Sequence, residues 1–278
     1  MKRLTILAMI AALITTACRK DIHLNLQNAS GLLVIEGNVN DQPGPYLVQL
    51  SKTVTFYDQD TVVPVSGATV TITDDAGGYD SLLEVTPGYY YTTTLSGTVG
   101  RTYHMHAHTD GKDYDATGTM QPPVAVDSIG ISGSFFSSNP RGFIQFSDPA
   151  GMVNYYRTVL YLHQYIDSTT TDFHHTRQHK VAVISDRLSD GLTIQSSVRS
   201  DYDIQTGDTL QVRLDAIEKP VYDYWYTLNN STTSSNTAAP ANPPSNISNG
   251  ALGYFSAHAS TFSKHIIYDG NLRFHRID

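Results

Sequence analysis

Apolar and polar side chains alternate along most of this chain, and a period of two predicts strands. In Tyr46–Ser51, Tyr46, Val48 and Leu50 share one face, with Leu47 and Gln49 on the other. In Ala68–Asp75, Ala68, Val70 and Ile72 point one way and Thr69, Thr71 and Thr73 the other. Leu32–Val39 is apolar and β-branched, and the turn cluster Asp41–Pro45 separates it from the next run. Further strands are expected at Tyr79–Val85, Tyr89–Thr94, Thr102–Thr109 and Asp113–Thr119, with Asp110-Gly111 turning a hairpin between the last two. These seven closely spaced strands end before Pro122-Pro123. They predict an immunoglobulin-like or transthyretin-like β-sandwich over 32–121.

The double proline marks a domain boundary. A second, sandwich-like β domain is expected over 124–278. Its strand candidates are Val126–Ser132, Gly142–Asp148, Asn154–Ile166, Val181–Asp186, Leu192–Val198, Thr209–Ile217 and Gly253–Thr261. In the longest, Tyr156, Thr158, Leu160, Leu162 and Gln164 share a face. One stretch departs from this period. Val221, Tyr224, Trp225 and Leu228 fall at i, i+3, i+4 and i+7, a helical stripe. Pro220 suits the first helical position and Asn229-Asn230 can end the helix. The fold class is therefore mainly β with one helix near 220–229. A polar loop, Ser231–Asn246, follows it.

Hydrophobic residues make up 40% of the 278 and charged residues 16%, enough for a proper core. The net charge of −8, with no basic tract, argues against a nucleic-acid partner. The one cysteine is Cys18, so no disulfide holds the fold. It closes a distinctive start. Lys2 and Arg3 precede the apolar run Leu4–Ile14, and small residues Thr15–Ala17 lead to the cysteine. The run is too short to span a bilayer and reads as an export signal. It resembles the bacterial lipoprotein signal, with Thr15 standing where the usual motif has Leu. That resemblance implies a signal peptide over 1–17, a diacylglyceryl thiol at Cys18 and a polar tether over 18–31. Each buried methylene contributes about 0.8 kcal/mol, so acyl chains anchor such a protein to the membrane without a transmembrane helix.

Several longer segments together resemble one family, domain of unknown function 4249. They are Val34–Thr53, Pro64–Gly78, Gly88–Thr92, Gly100–Thr117, the Tyr222-x-Tyr224-Trp225 helix and Asn242–Ala257. The likeness implies a Bacteroidota outer-membrane lipoprotein encoded beside a TonB-dependent receptor. It brings no catalytic or binding residues with it.

Candidate chemistry is sparse. His104, His106 and His108 lie on one face of a strand, opposite Tyr103, Met105 and Ala107. Imidazoles suit zinc or copper. Residues i and i+4 on a strand stand about 13 Å apart, so two of them, not three, can share an ion. His174, His175 and His179 have ligand-like spacing in an expected loop but no completing ligand. Asp58 and Asp60, near Asp74 and Asp75, lack EF-hand spacing. Gly-x-Ser-x-Gly, His-Glu-x-x-His and P-loop patterns do not occur, and nothing calls for a cofactor. Tyr222 and Tyr226 lie off the helix's apolar stripe and, with Asn246 in the polar loop, are the candidates for partner contact. The expected class is an envelope binding or accessory protein. A strand-histidine metal protein and an envelope hydrolase are the alternatives.

Overall fold

The computed structural model describes residues 31–54, 62–134, 137–163, 176–199, 207–233 and 242–267. Cys18 with the signal and most of the tether, Asp58, Asp60, Gln164, His174, His175 and the middle of the polar loop lie outside the described residues, as does the side chain of His179.

The alternating sequence folds into three sheets. The largest has nine strands. Its order is β13 (Thr176–Ser185), β12 (Tyr155–His163), β15 (Thr209–Ile217), β16 (Leu252–Ile266), β1 (Leu33–Asn40), β2 (Leu47–Lys52), β7 (Tyr89–Tyr91) and β6 (Leu83–Thr86), with β3 (Val63–Pro64) paired to β2. A four-stranded sheet runs β5 (Tyr79–Ser81), β4 (Thr69–Asp74), β8 (Thr102–Thr109), β9 (Lys112–Thr119). A three-stranded sheet runs β10 (Ser128–Ser134), β11 (Ser137–Ser147), β14 (Thr193–Arg199). The four-stranded sheet shares one core with β1, β2, β7 and β16, centred on Ile35, Val48, Ile72, Met105 and Phe255. The three-stranded sheet shares a second with β12 and β15, centred on Ile129, Phe146, Leu160 and Val212. The molecule is mainly β and sandwich-like, with one described helix, α1 (Lys219–Thr233). That helix lays Val221 and Tyr224 on Ile217 and Tyr254, on the sheet face opposite the two cores. Among the described residues no helix is long and apolar enough to cross a membrane.

Strand β16 ties the halves together. It pairs with β1 in parallel, from Val34↔Leu252 to Asn40↔His258, and with β15 antiparallel. Its Phe255, Ala257 and Ala259 belong to the first core. The chain on either side of Pro122-Pro123 thus contributes to one sheet. Every residue of β16 from Gly253 to Ser260 is buried, because both faces are covered. Two glycines make the close pairing possible. A Cβ on Gly37 would sit 2.9 Å from the Phe255 ring opposite it. Gly253 has φ +96°, and its Cβ would lie 2.0 Å from the Ile35 carbonyl oxygen.

Local structure departs from the sequence reading in several places, and His179, expected in a loop, stands on strand β13. Among the described residues the first half holds nine strands rather than seven, because the short β3 forms and Tyr79–Val85 splits at Leu82. Leu82 turns into the core, so β5 stays with the four-stranded sheet while β6 joins the large one. The helix runs past Asn229-Asn230 to Thr233. Asn229 does not cap it; its Nδ2 donates sideways to the Val181 carbonyl at 2.8 Å, and Ser231 Oγ donates to Thr227 O within the continuing turn. The Asp110-Gly111 hairpin forms with φ of 52° and 69°, the left-handed pair a tight hairpin requires.

Gly253→Ala is expected to cost at least about 3 kcal/mol, read as a lower urea midpoint by circular dichroism. Gly250→Ala is the control. It also has positive φ but nothing within 4 Å of its Cβ, so it should cost only about 1–2 kcal/mol. Equal losses would contradict the close approach of β16 to β1.

Candidate functional site

The strand histidines stand where alternation puts them. Tyr103, Met105 and Ala107 are buried, and the three imidazoles lie toward solvent. Each ring faces partners across β9 rather than its neighbour along β8. Nδ1 of His104, His106 and His108 lies 3.1, 2.8 and 2.6 Å from Thr117 Oγ1, Asp115 Oδ1 and Asp113 Oδ1 respectively. His106 Nε2 also lies 3.5 Å from Asp113 Oδ1, so two of the rings share that carboxylate within an exposed cross-strand ladder. Asp74, the described acid nearest the sequence's acidic cluster, is also engaged. It accepts from the Ala76 and Gly78 N–H groups and pairs with Arg101 at 2.6 Å.

A second group was not singled out by sequence. Arg157 on β12, Arg213 and Asp215 on β15, and Ser256, His258 and Ser260 on β16 share the sheet face that carries the helix. Arg157 Nε donates to Asp215 Oδ2 at 2.8 Å and Ser260 Oγ to Asp215 Oδ1 at 2.7 Å, while Arg213 Nε stands 3.0 Å from Oδ1. Arg157 Nη2 lies 3.3 Å from His258 Nε2, and the Arg157 guanidinium sits 5.7 Å from the Trp225 ring. Arg157, Asp215 and His258 are all but inaccessible. Burial alone would raise the Asp215 carboxyl; Arg157, His258 and Arg213 prevail and hold it at about 2. Burial pushes His258 down to about 3, against the pull of Asp215.

Ser256, His258 and Asp215 have the residue types of a hydrolytic triad but not its roles. Arginine can only donate, so His258 Nε2 accepts from it. The neutral ring then carries its proton on Nδ1, 3.0 Å from Ser256 Oγ, and donates to that oxygen. A base that donates to the serine takes no proton from it. The group is a buried, satisfied charge network.

An accessible concavity lies elsewhere. A cleft of about 430 Å³ opens between the linker Gln121–Val124, the loop before β12 and the β15–α1 junction. Pro122, Pro123, Met152, Val153 and Tyr155 make it largely apolar; Glu218 and Lys219 supply its charge. Glu218 is half-buried, which raises its carboxyl, and its Oε2 accepts the Thr119 N–H at 2.9 Å. Tyr155 leads out of the cleft to the helix. Its ring lies 5.1 Å from Tyr222, which stacks at 5.6 Å and 21° on Tyr226. Tyr226 is 52% exposed. The two candidate tyrosines therefore continue one aromatic strip from the cleft wall. Asn246 does not join them. Its side-chain amide clamps Phe255, donating to the carbonyl at 2.8 Å and accepting the N–H at 2.9 Å.

The model of the family described as Domain of unknown function (DUF4249) matches residues 19–263, and the chain belongs to this family. No curated protein matches it. Among solved structures it is similar to the adhesin InvE of Yersinia pseudotuberculosis, at 18% identity and a TM-score of 0.22. That match covers 67% of this chain and 56% of the adhesin chain, so the chain spans about half of the adhesin's length.

The buried network sets a pH dependence. His258 titrates lower folded than unfolded, so the unfolded chain binds the extra proton between pH 6.5 and about 3. Stability is full above pH 6.5 and falls below it, by up to about 1.4 kcal/mol per pH unit. Asp215 adds a further loss below pH 3.8, as pH approaches its folded value. Urea midpoints between pH 7 and 5 should fall in the wild type, and His258→Gln should flatten that fall. Arg157→Met removes the buried partner of Asp215, leaving it Arg213 alone, and should cost about 3–5 kcal/mol at pH 7.

Proposed function

We propose that this protein is an exported lipoprotein, held at the outer membrane by acyl chains on Cys18, that serves as a non-catalytic binding or accessory subunit beside a TonB-dependent receptor. The observation that carries the binding role is the cleft with its aromatic strip. It joins an apolar concavity to Tyr155, Tyr222 and exposed Tyr226 on a rigid scaffold. Tyrosine supplies large contact area with a polar tip and few rotatable bonds, as partner surfaces require. The non-catalytic part is supported by the state of the reactive groups described above: His258 is neutral, buried and hydrogen-bonded as a donor toward Ser256. The anchor rests on the run from Lys2 to Cys18, and the receptor on the family resemblance.

Tagged protein purified from its native envelope in mild detergent should bring down a β-barrel receptor in near-equal amount by mass spectrometry. A folded, lipidated protein that captures no such partner would contradict the accessory role. Cys18→Ala should move the protein from the membrane to the soluble envelope fraction. Met152 and Val153 are exposed at the cleft, so Met152→Glu with Val153→Glu should abolish capture while leaving the melting temperature within a few degrees. Undiminished capture would remove the cleft from the reading.

A further inference from the structure

Two loops meet behind the cleft wall, one leading from β11 to β12 and the other from β13 to β14. They bring together Asp148, Asp186 and Asp190. Among the described residues this is the one trio of His, Cys, Asp or Glu side chains whose ligand atoms all lie within 4.8 Å of one another. Asp148 and Asp186 are buried, at 6% and 0% exposure, and Asp190 is exposed.

Acidic clusters in loops are common, so the clustering decides nothing by itself. The hydrogen bonds do. Asp148 Oδ1 accepts from the Tyr156 hydroxyl and from Asn154 Nδ2, and Oδ2 accepts the Gly191 N–H at 2.9 Å. Asp190 Oδ1 accepts the Gly151 N–H at 2.9 Å. Asp186 Oδ2 accepts the Asn154 N–H at 2.9 Å, but its Oδ1 is fully buried and has no hydrogen-bond partner. An ionised oxygen left so is costly, because a buried charge is retained only when it is hydrogen-bonded, paired or bound to a metal.

Three other buried acids make the contrast. Asp215 has two arginines, and Asp74 has Arg101. Asp80 is held by the Thr93, Thr94 and Leu95 N–H groups and the Thr93 hydroxyl. Among the described residues no Lys, Arg or His side chain forms an ion pair with Asp148, Asp186 or Asp190. The missing charge is a cation the protein does not itself supply.

We propose that Asp148, Asp186 and Asp190 form a calcium site. All donors are hard oxygens, with no nitrogen or sulfur to favour zinc or copper. The three oxygens lie within 4.8 Å of one another, so one ion can reach them all. Three carboxylates favour calcium, since magnesium keeps several waters and takes one or two carboxylates. Asp186 Oδ1 gains the partner it lacks, and the two loops become linked through the ion. This site stands independently of whether the cleft binds a partner.

The test uses the full chain in detergent, stripped with EGTA and titrated with calcium chloride to about 10 mM, above the range of extracellular calcium sites. Calcium should raise the melting temperature by several degrees and bind one ion per chain by calorimetry. Terbium should bind at the same place and luminesce on tyrosine excitation, because the Tyr156 ring abuts Asp148, and calcium should quench that signal by displacement. Asp186→Asn should melt no lower than the metal-free wild type and lose the calcium shift. Asp190→Asn changes an exposed residue, keeps the fold testable, and should weaken calcium binding at least about tenfold. A folded wild type with no calcium shift and no terbium luminescence would overturn the site. So would an equal response to magnesium, or wild-type affinity in both variants.

Discussion

Parallel pairing of the first described strand with the last is the contact on which the rest of the fold depends. A parallel pair cannot be made by a hairpin; it needs a long connection, and here that connection is most of the chain. Seven register pairs, Val34↔Leu252 to Asn40↔His258, close it. The approach is tight enough that Gly253 and Gly37 are dictated by space, the one against the Ile35 carbonyl and the other beneath the Phe255 ring. Because β16 also pairs with β15, the same strand carries the first core into the second. The cleft lies beside that seam, lined by the proline linker from one side and by the ends of β12 and β15, the strand that pairs with β16, from the other.

Electrostatics divides the interior into two kinds of site. The Arg157–Asp215–His258 group is complete: each charge has a partner, and the ring, whose charging burial opposes, is neutral near pH 7. Such a group adds little net stability over apolar packing but makes any single loss expensive. The Asp148–Asp186–Asp190 group is incomplete, with an orphaned buried oxygen. The two differ in kind because charge is supplied from within the sheet in one case and must come from solvent in the other. That difference, rather than residue type, separates a structural network from a binding site in this molecule.

Much of the fold could be read from the sequence. Alternation located the strands of both halves, and the face Tyr156, Leu160, Leu162 enters the second core as its spacing requires. The helix stripe packs through Val221 and Tyr224 as its period requires. What alternation cannot give is pairing partners, so the return of β16 to β1 was hidden although both strands were recognisable. The buried network left a trace: Arg157, Asp215 and His258 are charged or polar residues inside otherwise apolar strands. The acidic trio left none, since Ser147-Asp148-Pro149 and Asp186 to Gly191 look like ordinary polar turns. Their meeting depends on two loops about 40 residues apart brought side by side by the tertiary fold. Asn246 shows the reverse case, a loop residue with free-looking polarity that is taken up by its own backbone.

A cleft beside a seam is a preformed site only if the seam holds. Hydrogen exchange with mass spectrometry on the native chain tests this most directly. If β1 and β16 lock one body, peptides covering 33–40 and 252–259 will exchange together, at the slow limit set by global unfolding. Exchange of 252–259 well ahead of 33–40 would mean that the last strand opens on its own, and would contradict the account of a single scaffold with its binding surface built in.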